Sequence, residues 1–237
     1  MKFIDIGPLQ GLIVSSPGDT TALTLVLLHG YGASGSDLVG LASQLSSPAG
    51  LRFVFLQAPI ALDAETRPGR GARAWWPLDM LELQTIRSTR EYQKLTNQSP
   101  PGIDGARAKL GEALDALVLD HGVDRTRLVL GGFSQGAMLS TDFALRDSSP
   151  LAGLVVLSGS LISEPAWTKL LPQRRNLPVF QSHSPDDQVL PYPLATRLAE
   201  LMSEAGLKHQ FVQFRGGHGI SAAVLEGLGR FLLPLSL

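Results

Sequence analysis

The sequence predicts an α/β protein with a mostly parallel central sheet and helices on both of its faces. Three observations lead there. Apolar runs of strand length alternate with amphipathic stretches of helix length along the chain. Four of the five clearest runs lack polar alternation, which is the pattern of strands buried on both faces. The composition, 44% apolar and 17% charged over 237 residues, is also less charged than the roughly 25% of an average soluble domain and suits one compact core. No internal repeat or linker interrupts it, so 1–237 reads as a single domain with a lid-like segment at about 59–101.

Taken in order, the strands are Leu25–Leu28, Phe53–Leu56, Leu128–Leu130, Leu154–Leu157 and Val179–Ser182, each bounded by Gly, Pro, His or Ser. Gln210–Phe214 alternates instead, which places it nearer an edge. Helical patterns fall at about 37–46, 103–119, 135–146, 193–205 and 220–233, with Pro100-Pro101-Gly102 marking the start of the second. Strands and helices in that alternation build a parallel sheet covered on both faces. The irregular piece is 59–101, which holds Trp75 and Trp76 among Arg67, Arg70 and Arg73. Loops of that length in compact domains act as lids or binding loops, and this one reads as a partly helical lid.

Composition also excludes function classes. Twenty Lys+Arg against 21 Asp+Glu leave a net charge of −1, without the basic footprint that nucleic acid demands. The absence of cysteine removes a disulfide scaffold, a thiolate zinc site and a Cys nucleophile. His29, His121, His183, His209 and His218 show no H-E-x-x-H spacing, so metal catalysis has little support. Segment 1–8 carries Asp5, Gly7 and Pro8 where a signal peptide needs an apolar stretch, and no run approaches the ~18 apolar residues of a membrane span. The expectation is a soluble cytoplasmic protein with a small-molecule substrate, no nucleic-acid partner and no membrane span. Monomer and homodimer both stay open.

Gly132-Phe133-Ser134-Gln135-Gly136 fits G-x-S-x-G, with an apolar strand before it and a helical pattern after it. In such a strand–turn–helix the serine sits on a strained turn with its hydroxyl exposed at the C-terminal edge of the sheet. The free N–H groups of the following helix end favour a developing oxyanion there. A serine nucleophile needs a base, and the base needs an orienting acid, in the chain order Ser, acid, His. His209 opens the last strand and lies at the wrong edge. His218, in Gly216-Gly217-His218-Gly219, follows that strand at the right one. Among the carboxylates between serine and histidine, Asp142 and Asp147 belong to the helix after the serine, Glu164 to a loop, and Glu200 and Glu204 to a surface helix. Asp186 and Asp187 remain, just beyond Val179–Ser182, and the residues alone leave both open.

Gly30-Tyr31-Gly32-Ala33-Ser34-Gly35 also matches G-x-G-x-x-G after a strand, the dinucleotide fingerprint. That reading requires an acid at the tip of the next strand, about twenty residues on. The tip reads Phe55-Leu56-Gln57-Ala58-Pro59 and has none. In a hydrolase the same glycines let an N–H from Tyr31 point at the reacting oxygen, and this reading is preferred.

These residues together resemble the α/β-hydrolase carboxylesterases that include the acyl-protein thioesterases and the bacterial phospholipase/carboxylesterase group. The matching segments are Leu27–Gly32, Gly132–Ala137, His183–Pro191 and Gly217–Ile220, in family order and across most of the chain. The resemblance implies an α/β-hydrolase fold and a Ser134–Asp187–His218 triad, because the family motif places its acid on Asp187. It implies oxyanion N–H groups from Tyr31 and Gln135, and an acyl channel lined by Trp75, Trp76 and Val189, although a buried tryptophan pair packs more commonly in the core and the sequence leaves that choice open. It implies no cofactor. The expected activity is hydrolysis of short- to medium-chain carboxylic esters through an acyl-enzyme, with an acyl-protein thioesterase or lysophospholipase as the alternative. Three features depart from the family pattern: Ser184 stands where Gly is usual, Pro77-Leu78 separate the tryptophans from Asp79, and 80–101 is long.

Overall fold

The apolar runs lie side by side in the middle of one sheet. The computed structural model describes residues 2–15, 23–46, 48–63 and 71–236. In chain order they form β1 (Ile4–Ile6), β2 (Leu9–Val14), β3 (Leu23–Leu28), α1 (Leu41–Gln44), β4 (Leu51–Gln57), β5 (Ile60–Ala61), β6 (Arg73–Ala74), α2 (Met80–Thr89) and α3 (Gln93–Thr96). The second half holds α4 (Ile103–His121), β7 (Leu128–Phe133), α5 (Gln135–Arg146), β8 (Gly153–Leu157), α6 (Glu164–Leu170), β9 (Pro178–His183), α7 (Tyr192–Glu204), β10 (Lys208–Gln213) and α8 (Ala222–Leu232).

Among the described residues, eight strands form the main sheet in the order β1-β2-β4-β3-β7-β8-β9-β10. From β4 to β10 every neighbouring pair is parallel, while β1–β2 and β2–β4 are antiparallel. Side chains along each parallel strand alternate between two apolar layers. Val26, Leu28, Val54, Leu130 and Val156 face Leu110 and Leu114 of α4 and Leu198 of α7. Leu25, Leu27, Phe53, Val129 and Phe180 face Leu41 of α1 and Val224, Leu228 and Phe231 of α8. Helices on both faces leave these strands no polar side, which is why their sequence shows no alternation. β10 lies at the sheet's edge, and there Lys208, Gln210 and Gln213 are exposed.

Several elements differ from the sequence reading. β1 and β2 were not expected; they are short, and Asp5 and Gln10 face each other across the antiparallel pair. The helix expected at 37–46 is a 3-10 turn over Asp37–Gly40 followed by the four residues of α1. Glu164, assigned to a loop, opens α6, whose first turn carries Pro165 with its φ preset for a helix. Asp147 lies just past the end of α5, not within it. The segment 59–101 is partly helical as expected, with the β5–β6 hairpin at its start. Arg67 and Arg70 lie outside the described residues. Among the described residues no helix is long and apolar enough to cross a membrane.

Candidate active site

Ser134 sits between β7 and α5 at φ 54 and ψ −117, a conformation that non-glycine residues rarely adopt. Its backbone is held on both sides: its N–H donates to the Leu157 carbonyl at 2.9 Å, and its carbonyl accepts from the Met138 N–H at 3.1 Å. The turn is too tight for side chains on either flank. A Cβ on Gly132 would come within 2.4 Å of the Gly136 carbonyl carbon, and one on Gly136 within 2.2 Å of the Leu28 carbonyl oxygen. The two glycines of the pentapeptide therefore answer to backbone contact, and the serine is lifted to the sheet edge.

The loops after β9 and β10 meet beside this turn. His218 Nδ1 lies 2.7 Å from Asp187 Oδ2, so the ring donates Nδ1–H to the carboxylate and its neutral form leaves Nε2 as an acceptor. Asp187 Oδ1 accepts the Val189 and Leu190 N–H groups at 2.7 and 2.9 Å. Burial pushes the Asp187 carboxyl up, but the His218 hydrogen bond and charge, with the Leu190 and Val189 amides, outweigh it and hold it below the usual range. Asp186 diverges: its carboxylate is 44% exposed and pairs with Arg215. The structure thus separates two aspartates that the residues alone left equivalent.

The imidazole is also fixed from other directions. The Phe133 ring, one residue before Ser134, lies 4.8 Å from the His218 ring with a tilt of 48°. Ser158 Oγ donates to the Gly219 carbonyl at 2.9 Å and steadies the loop behind the histidine. A second imidazole, the fully buried His183, places Nε2 3.3 Å from both the Leu190 carbonyl and Asp187 Oδ2. Burial lowers its pKa against the raising effect of the Asp187 charge. Nothing in the sequence assigned a role to Ser158, and His183 was legible only as part of a motif.

The glycine loop after β3 closes the site. His29 is buried at its base; Nδ1 donates to the Gly30 carbonyl at 2.8 Å, and Nε2 accepts the Ala58 N–H at 3.1 Å. Burial is the main cause that lowers its pKa to about 4, with the Gly30 hydrogen bond opposing and the Arg73 charge assisting. Gly32 N–H donates to the Arg73 carbonyl at 2.8 Å, and Arg73 N–H returns to the Ala33 carbonyl at 2.9 Å, so the loop is stitched to β6. A Cβ on Gly30 would lie 3.3 Å from Ser134 Cβ, so the loop backbone touches the serine's turn.

The Gln135 side chain does other work. Fully buried, its Oε1 accepts the Trp75 N–H at 2.9 Å and its Nε2 donates to the Trp76 carbonyl at 2.8 Å. Both indoles are 1% exposed and pack in the core with Ile103 and Leu110 of α4. Of the two uses open to Trp75 and Trp76, core and acyl channel, this burial favours the core. A buried indole N–H needs an acceptor; Trp75 Nε1 has the His29 carbonyl at 2.9 Å, whereas the buried Trp76 Nε1 has no partner among the described residues. Val189, beside the acid, is 40% exposed.

A sheet covered on both faces, with its reactive groups gathered at the C-terminal ends of β3, β7, β9 and β10, is the architecture of the α/β-hydrolases. The profile of the phospholipase/carboxylesterase family matches residues 9–235, and the chain belongs to that family, whose members are serine hydrolases. Acyl-protein thioesterase 1 of Mycosarcoma maydis is 30% identical over 226 residues, covering 88% of this chain and 89% of that protein. The protein of the same name from Neurospora crassa is 25% identical over 228 residues, covering 93% and 89%. Among solved structures, esterase PE8 aligns with a TM-score of 0.76 and 25% identity over 96% of this chain and 99% of the other. Zea mays acyl-protein thioesterase 2 shares the fold, with a TM-score of 0.72 and 20% identity over 96% and 99%.

Proposed function

We propose that the chain is a serine carboxylesterase of short- to medium-chain esters, carried on one domain, needing no cofactor and working in the cytoplasm. In this reading Ser134 Oγ attacks the ester carbonyl while His218 Nε2 takes its proton. The oxyanion is held by the Tyr31 and Gln135 N–H groups, the loop and helix-end donors that this fold uses. The imidazolium then protonates the departing alkoxide, leaving an acyl-enzyme. Water, deprotonated by the same nitrogen, releases the acid. Asp187 keeps the proton on Nδ1 so that Nε2 stays free, and its charge stabilises the imidazolium. The observation that carries the reading is the 2.7 Å hydrogen bond from His218 to the buried Asp187, beside a serine held at φ 54.

The test is covalent. A fluorophosphonate adds once, at Ser134 by peptide mass mapping, and Ser134→Ala lowers kcat by several orders of magnitude while ester binding persists. Labelling at another serine overturns the assignment. The relatives' name, at 25–30% identity over about nine-tenths of the chain, favours a second reading, protein-acyl thioester hydrolysis by the same machinery. Matched oxoester and thioester substrates of one acyl chain separate the two.

A further inference from the structure

With both indoles buried, an open groove of mixed lining lies beside the candidate site on the other face of the sheet. A groove of about 240 Å³ runs between the segment after the glycine loop and the loop after His218. Leu38, Leu41, Phe133 and Ile220 wall it, and Asp37 and Gln44 are exposed at its rim. These four apolar residues belong to the layer of α1 and α8, whereas Trp75 and Trp76 belong to that of α4 and α5. The larger depression, about 630 Å³ along residues 90–98, is lined by polar groups and shares no residue with the site.

We propose that the groove walled by Leu38, Leu41, Phe133 and Ile220 binds the departing alcohol of the ester and selects compact, apolar, non-anionic alcohols. The inference rests on the reading of Ser134 and His218 given above. In that chemistry the imidazolium delivers its proton to the leaving oxygen, so this oxygen must come within about 3 Å of the histidine's free nitrogen. A recess bordered by the residues that follow His218 and by the Phe133 ring packed on it is placed to receive the substituent on that oxygen. Three contacts tie the groove to the imidazole. Gly219 and Ile220 follow His218 directly in the chain. Phe133 forms one wall and packs on the imidazole at 4.8 Å. The Ser158 hydroxyl pins the Gly219 carbonyl at 2.9 Å and holds that wall in place.

Size and lining set the choice of alcohol. The groove is small, about 240 Å³, and open to solvent, which suits a compact group in the range from butyl to benzyl. Leu38 and Leu41 are buried in its walls at 6% and 8% exposure and offer only aliphatic surface. The Asp37 carboxylate at the rim repels a phosphate, so a phosphorylated glycerol is a poor leaving group here.

Two ester series test this through kcat/KM, which covers the acylation step in which the alcohol is still attached. One series holds the acyl group as acetyl and lengthens the alcohol from methyl to butyl and benzyl. The other holds methyl and lengthens the acyl chain. The native protein gains about three- to fourfold per methylene on the alcohol side until the groove is full, and glycerol phosphate acetate falls at least tenfold below butyl acetate. Ile220→Trp, which fills the groove, flattens the alcohol slope and leaves the acyl slope as it was. Gln44→Trp, made at an exposed rim position that folding tolerates, does the same. The readout is the slope, whatever the level of activity. An unchanged alcohol slope in both variants, or a flattened acyl slope, overturns the assignment. Failure of the underlying catalytic reading looks different: neither series is turned over, and a fluorophosphonate does not mark Ser134.

Discussion

The segment between β5 and α4 has two ends that behave in opposite ways. Its inner end, residues 71–78, is drawn into the site. Arg73 shares backbone hydrogen bonds with Gly32 and Ala33, and the Gln135 side chain grips the backbone of Trp75 and Trp76. Its outer end, α2, rests on the surface. Met80 and Leu81 are 50% and 76% exposed, and Ile86 is the buried residue of α2. Sequence proximity groups these residues into one lid, but hydrogen bonding divides them into site scaffold and surface attachment. The same division recurs one residue apart in Asp187 and Asp186, the first buried on an imidazole and the second exposed on Arg215.

The largest effect is expected where that one-residue contrast is broken. Asp187→Asn lowers kcat on p-nitrophenyl acetate by about 10⁴, because the wrong tautomer of His218 is then stabilised. Asp186→Asn, which loses a surface ion pair, costs less than about tenfold. Comparable effects from the two would remove the distinction between them.

Next comes the anchored end of the segment. Trp75→Ala empties a core position and strands the His29 carbonyl, so unfolding free energy falls by about 3–5 kcal/mol. At roughly 2–4 °C per kcal/mol for a chain of this size, the melting temperature drops by about 6–20 °C. All esters suffer alike. A mutant that melts normally but loses selectivity among acyl chains would restore Trp75 to the substrate site.

The base of the glycine loop supplies a pH test of intermediate size. Burial depresses the His29 pKa from 6.5 to about 4 in the folded chain. Between these values the unfolded chain binds the extra proton, so stability is full above pH 6.5 and declines as pH falls toward 4. The integrated loss is about 3 kcal/mol, and His209, lowered to about 4 by burial, acts in the same direction. Urea melts at pH 7.5, 6 and 5 measure the decline. His29→Asn is expected to be less stable at neutral pH but to show a shallower fall; an equal fall would exclude His29 as a source.

The smallest effect belongs to the outer end. Leu81→Ser changes stability by no more than about 0.5 kcal/mol, and thermal melts beside Trp75→Ala show the two ends at their extremes. A loss of several degrees would mean that α2 packs more firmly than its exposure indicates.

The sequence by itself determined the features that short-range physics controls. The parallel strands were visible as unbroken apolar runs, because residues buried on both sides cannot alternate. The serine's turn was visible in Gly132 and Gly136, because a Cβ at either would fall 2.2–2.4 Å from a neighbouring backbone atom. The order of serine, acid and histidine followed from placing each after a strand. The choice of Asp187 over Asp186 was legible only through the family motif, while tertiary structure alone decided that both tryptophans enter the core and that β1 and β2 extend the sheet antiparallel. It also decided that the Gln135 side chain clamps a segment some sixty residues away, and that the open groove lies beside Phe133 and Ile220. These depend on the direction of a side chain and on what lies across the fold from it. Periodicity and turn chemistry act over a few residues and carry no record of either.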